Sequence, residues 1–184
     1  YLYLHGGNIV ADAGGDGLDV NGSIEMSAGL VLVNGPTEQM NGAVDYDGTF
    51  TITGGTLIAA GSSGMAMAPD QTSSQSSVLV YLTATQPAGT LIHIQDSAGQ
   101  DVLTFAPTKD FQSIAFSSPA LVNGSTYDVF TGGSSTGSVT NGYYQGGSYT
   151  PGSAAASFMA TATITTVGTG GNGGHGGGGN NAHP

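Results

Sequence analysis

A short phrase recurs in register near the start of this 184-residue chain. Leu18-Asp19-Val20-Asn21-Gly22-Ser23 returns as Val44-Asp45-Tyr46-Asp47-Gly48-Thr49. Ten residues separate Asp19 from Gly29, and ten separate Asp45 from Gly55. An apolar run follows each glycine, Leu30 to Val33 and Thr56 to Ala59, and Gly7 opens the same frame one unit earlier with Asn8-Ile9-Val10-Ala11. The units are 22 residues (Gly7 to Gly29) and 26 residues (Gly29 to Gly55). Short β-branched or apolar runs, each bounded by Gly, Asn or Asp and repeated at this interval, predict the stacked coils of a parallel β-helix. No window carries a sustained helical period, so almost no helix is expected.

Stacking has an electrostatic consequence. It sets Asp19 beside Asp45 and Asn21 beside Asp47, with carboxylates roughly 5 Å apart. Two such charges repel by ~0.8 kcal/mol in bulk water and ~3 kcal/mol at an effective dielectric of about 20. A hard divalent cation removes that cost, and Ca²⁺ takes oxygen ligands with loose geometry. Asp16, Asp19, Asn21, Asp45 and Asp47 are the candidate ligands. On the plainer reading each Asp or Asn caps its own turn before Gly22 or Gly48. The spacing is not that of an EF-hand, because Gly17 or Ala43 occupies the preceding alternate position and no helices flank it.

Composition narrows the setting. Twelve acids face one base, Lys109, and the chain has no Arg, giving a net charge of −11. Nucleic acid is excluded as a natural partner, since phosphate neutralisation needs Lys and Arg. Charged residues are only 7% of the chain, so this is not an acidic disordered tail. Ser, Thr, Asn and Gly carry the polarity and Cys is absent. That balance suits an extracellular or surface β protein of a bacterium, without disulfides. No signal peptide or membrane-inserting run is read. Tyr1-Leu2-Tyr3-Leu4-His5 reads as a strand without a start, as in a clipped piece of something longer.

Four regions are expected. Residues 1–68 hold the parallel coils, with Ile24, Met26, Phe50 and Ile52 filling their interior. Residues 69–77 form a polar bridge. Residues 78–167 carry longer alternating strands joined by hairpin turns such as Asp96-Ser97-Ala98-Gly99, an antiparallel sheet or small sandwich that caps the coils. Residues 168–184 are a tail of Gly, Asn and His. The fold class is therefore all-β.

The runs 16–23, 43–48 and 54–66 resemble a family of bacterial surface carbohydrate-binding proteins common in clostridia. The likeness continues through Gln75 to Val80, Ala88 to Leu91, Tyr127 to Gly133 and Gly146 to Gly152. The resemblance implies a right-handed parallel β-helix that binds polygalacturonate and other plant polysaccharides and contains calcium. The family's N-terminal coils have no counterpart here, so any site they build lies elsewhere.

Catalysis is not expected. Pectin-degrading β-helix lyases need a strong base, typically Arg, and this chain has none. A hydrolase needs converging acids at fixed separation, and no His, Lys or Arg lies near Asp45 and Asp47 to manage their charge. Binding is easier to supply. Calcium bridges protein and uronate carboxylates, which lets an acidic protein hold an acidic glycan, and Tyr46, Tyr143, Tyr144 and Tyr149 are candidate platforms for sugar rings. Packing roles compete for all four tyrosines. His5 and His93 read as ordinary strand residues. An alternative is a structural subunit of an extracellular filament. The uncovered strand Tyr1-Leu2-Tyr3-Leu4 and the tail around His175 would then join copies end to end by β pairing.

Overall fold

The computed structural model describes residues 1–160 and 163–170. The first third comprises β1 (Leu2–Asp12), β2 (Leu18–Val20), β3 (Ile24–Asn34), β4 (Val44–Tyr46), β5 (Phe50–Ile52) and β6 (Thr56–Gly61). The remainder comprises β7 (Ser77–Gln86), β8 (Ile92–Asp96), β9 (Asp101–Phe105), β10 (Phe111–Ser117), β11 (Thr126–Thr131) and β12 (Ser134–Ser135). It ends with β13 (Ser138–Thr140), β14 (Tyr143–Gln145), β15 (Tyr149–Thr150), β16 (Ser153–Met159) and β17 (Ile164–Val167). The fold is all-β, and no helix occurs among the described residues.

The repeat frame governs the pairing of the first third. β3 pairs in parallel with β1 and with both β5 and β6. Leu2 partners Ile24, which partners Phe50, and Val10 partners Leu32, which partners Ile58. β2 and β4 form a second parallel ladder. Ile24, Met26, Phe50 and Ile52 are at most 1% exposed, in the interior positions expected of them. Gly29 and Gly55 sit at φ 96° and 90°, a conformation that L side chains avoid. A Cβ on Gly29 would lie 2.6 Å from the Gly7 carbonyl oxygen, so the stacked bends require glycine at this position for space as well as for φ.

The second half adds strands to the same sheet. β10 pairs antiparallel with β6, β7 antiparallel with β10, and β17 parallel with β7. The resulting order is β1-β3-β6-β10-β7-β17, with β5 beside β3. A separate antiparallel sheet runs β13-β14-β9-β8-β11-β16. Within the stretch 69–77, read from the sequence as a polar bridge, residues 70–75 run alongside β5. Asp70 N–H donates to the Phe50 carbonyl, Gln75 N–H donates to the Ile52 carbonyl, and Ser73 Oγ accepts from Ile52 N–H. Their side chains supply the capping that a longer strand would obtain from its backbone.

Both faces of the shared sheet are covered. Val31, Val33, Leu57, Ala59, Leu79 and Ala115 face a core closed on its far side by Leu18, Val20 and Val44. Their alternates Leu32, Ile58, Val78, Val80, Ile114 and Phe116 face Ile92, Ile94, Leu103, Phe105, Tyr127 and Val129 of the antiparallel sheet. Two-sided burial explains why Leu30 to Val33 and Leu57 to Ala60 are unbroken apolar runs. Each fully buried Leu, Ile or Phe contributes about 1.5–3 kcal/mol.

The chain's single Lys or Arg residue stitches the halves together. Lys109 Nζ lies 2.6 Å from Asp12 Oδ1 and donates to the Ala13 carbonyl, while Thr108 donates to Asp12 Oδ2. Hydrogen bonds from Lys109 and Thr108 hold the Asp12 carboxyl below its usual range. Thr108 N–H also donates to the buried Asn34 amide oxygen. The antiparallel sheet is thereby tied to the ends of β1 and β3.

Candidate functional site

Three of the four tyrosines singled out in the sequence come together. β8, β9, β14 and β15 border two adjoining cavities that share Asp101 and Gly146. The larger, about 520 Å³, is lined by His93, Gln95, Gln100, Ser148 and Tyr149 among others. The smaller, about 200 Å³, is lined by Tyr143, Tyr144, Gln145 and Thr104 among others. Side-chain amides, hydroxyls, one carboxylate and aromatic rings thus share one groove.

Its floor is an ordered polar network. His93, 1% exposed, stacks on Tyr149 with ring centroids 3.7 Å apart. His93 Nδ1 is 2.7 Å from Thr104 Oγ1, and the Thr104 hydroxyl donates to Asp101 Oδ1 at 3.0 Å. His93 Nε2 faces Gln95 Oε1 at 3.3 Å. The Thr104 hydroxyl links His93 Nδ1 to Asp101, which holds Asp101 at the junction of the cavities. Burial lowers the His93 pKa from its ordinary value, against opposing pulls from Asp101 and Gln95. The imidazole is therefore neutral near pH 7.

Tyr149 is held by its hydroxyl as well as by the stack on His93. Its hydroxyl donates to the Gly132 carbonyl at 2.8 Å and accepts from Gly152 N–H. Burial raises its pKa. The Tyr143 pKa is raised by burial and then by Asp101. The rim between these tyrosines turns at Gly146 and Gly147, φ 65° and 70°, and a Cβ on Gly147 would strike the Gly137 backbone. A side chain there would push the rim away from β13 and change the groove's width.

Tyr46 is placed elsewhere. It is half-buried, meets Phe50 edge-on, and donates to the Ala68 carbonyl at 2.8 Å. Burial, then the Asp70 charge, push its pKa up to about 12. It packs within the first third, away from the groove-lining residues.

The acidic corners stack as expected. Asp19 is the register partner of Asp45, and the frame continues as Asp47 N–H donates to the Val20 carbonyl and Gly48 N–H to the Gly22 carbonyl. Asp19, Asn21 and Asp47 are exposed and Asp45 half-buried. Asp16 Oδ1 accepts from Gly42 N–H at 2.7 Å, bracing the loop between the rungs. Among the described residues no group of three or more His, Cys, Asp or Glu side chains is arranged to hold a metal ion. None of the five candidate ligands lines the groove.

At the sheet edge, Tyr1 and Tyr3 are 85% and 57% exposed and stack on one another, with Tyr3 stacking in turn on His5. Leu2 is half-buried, whereas Leu4 is buried in the core of the first third. His175 lies outside the described residues. Sequence reasoning missed His93, Gln95, Gln100, Asp101 and Ser148. The available signal was the polar run Gln95 to Asp101 interrupting two strongly apolar strands.

No protein-family model, curated protein or solved structure matches this chain.

Proposed function

We propose that this chain is a non-catalytic, extracellular polysaccharide-binding protein that holds its glycan in the groove between β8, β9, β14 and β15. The observation that carries the reading is the convergence of Tyr143, Tyr144 and Tyr149 on two joined cavities lined by amides and one carboxylate. Sugar rings present apolar C–H faces and a rim of hydroxyls. Tyrosine rings match the faces, and Gln, Ser and Asp side chains match the hydroxyls. The pre-set network beneath Tyr149 lowers the ordering cost of binding.

The same reading takes residues 1–68 as a short right-handed parallel β-helix of the surface carbohydrate-binding kind. The two parallel ladders at offsets of 22 and 26 residues support it. It also takes Ca²⁺ to stabilise the stacked Asp19–Asp45 corner, with Asn21 and Asp47 beside it. The support for calcium is the register pairing of like charges. None of these residues lines the groove, so this ion would stabilise the fold and would not bridge the protein to an acidic glycan held there.

The test is a glycan array probed with the wild type and a Tyr144→Ala/Tyr149→Ala double variant. The reading expects polysaccharide binding that the double variant loses. Wild-type binding that persists in the double variant would reject the groove.

A second reading, a filament subunit, is favoured by one feature. β1 is an 11-residue strand at the end of the sheet order, it carries no acid before Asp12, and it exposes Tyr3 and Val10, with Tyr1 exposed just before it. Edge strands of this kind recruit further strands.

A further inference from the structure

The groove's charge selects among glycans. Resting on the groove reading above, we infer that its preferred ligand is an amine-bearing polysaccharide, whose ammonium pairs with Asp101 while the sugar ring stacks on Tyr149, which lines the larger cavity beside it. Asp101 lines both cavities, and its side chain is 39% exposed, so the carboxylate reaches solvent at their junction. No Lys or Arg lines either cavity. The chain's one Lys, Lys109, is engaged by Asp12 and the Ala13 carbonyl. His93, the remaining basic group of the groove, is buried beneath Tyr149 and shares Asp101 with Thr104.

Each class of sugar meets this surface differently. A uronate brings a carboxylate to a groove holding one carboxylate and no free cation, on a protein of net charge −11. A neutral sugar gains stacking and hydrogen bonds only. An amino sugar adds a charge-assisted hydrogen bond to a carboxylate already oriented by Thr104. Aromatic rings beside the carboxylate further favour ammonium.

The experiment is calorimetric titration, in chelator at physiological ionic strength, with four oligosaccharides of equal length. They are β-1,4-linked glucosamine, its fully N-acetylated form, β-1,4-linked glucose and α-1,4-linked galacturonate. Wild type, Asp101→Asn, Glu38→Gln and Tyr149→Ala are compared. Asn keeps the oxygen that accepts from Thr104, and Glu38→Gln makes the same charge change on an exposed loop outside the groove. The inference expects the amine oligomer to bind about tenfold tighter than its N-acetylated form. Asp101→Asn should bring that ratio near one, and Glu38→Gln should leave it intact. A preference that survives Asp101→Asn would overturn the inference, and one that falls equally with Glu38→Gln would overturn it by assigning the effect to overall charge. Equal binding of amine and neutral oligomers, lost in Tyr149→Ala, would overturn the amine while leaving the groove standing. Binding unaffected by Tyr149→Ala would remove the groove and the amine together.

Discussion

Asp19 and Asp45 are register partners on adjacent parallel strands, two carboxylates of like charge one rung apart. The strands lie roughly 5 Å apart, and water at this exposed corner screens the repulsion to about 1 kcal/mol or less. In chelator, Asp19→Asn should therefore raise the melting temperature. Calcium should raise that of the wild type by several degrees and leave Asp19→Ala and Asp45→Ala unmoved. Melting curves indifferent to calcium in the wild type would remove the ion from the account.

Gly29 tests the stacked bends. Ala at φ 96° is strained and its Cβ meets the Gly7 carbonyl, so Gly29→Ala should destabilise the protein by roughly 2 kcal/mol or more. Gly14, with nothing within 4 Å of a built Cβ, should accept Ala within about 0.5 kcal/mol. Urea midpoints for the two variants decide the matter, and equal midpoints would contradict the bend argument.

Tyr46 predicts an alkaline signature. Its folded-state pKa stands at about 12 against an ordinary 10. Between those values the unfolded chain releases the proton and the folded chain keeps it, so stability falls as pH rises through that window. Tyr46→Phe should cost about 1 kcal/mol at neutral pH through the lost Ala68 bond and should shallow the alkaline slope. An unchanged slope would mean that Tyr46 ionises freely in the folded protein.

His93 predicts the opposite limb. Burial lowers its folded-state value below the ordinary 6.5, so the unfolded chain takes up a proton first. Stability is unaffected by this group above that pH and declines as pH falls below it. Denaturation at pH 7 and pH 5 should show the decline in the wild type and a smaller one in His93→Gln. Loss of the imidazole should also loosen Tyr149, which stacks on it.

The edge of β1 bears on self-association. A charge set among its exposed apolar side chains blunts strand addition. Tyr3→Lys and Val10→Lys should each reduce any higher oligomers seen by light scattering, with the fold preserved. Oligomers unchanged in both would assign assembly to another surface.

Much of the first third was legible because its signal is local and periodic. Gly7, Gly29 and Gly55 mark the frame, and the partners Ile24–Phe50 and Asp19–Asp45 fall where that frame puts them. The joining of the halves was not legible, since Leu57 pairs with Ser117 across a separation that no period announces. Residues 70–75 look like a spacer because their pairing with β5 is made partly by Asp70 and Ser73 side chains. The groove was half legible. Tyr143, Tyr144 and Tyr149 stand out between glycines, but His93 and Asp101 reach them only through the order of the antiparallel sheet. A histidine in an apolar strand gives no local hint of a ring stacked above it.

Amide hydrogen exchange, with and without a saturating oligosaccharide, tests the central claim most directly. The account predicts added protection confined to residues 92–105 and 143–150, with 1–12 and 44–61 unchanged. Protection in those parallel strands instead, or none in the groove while binding is demonstrably saturated, would contradict it.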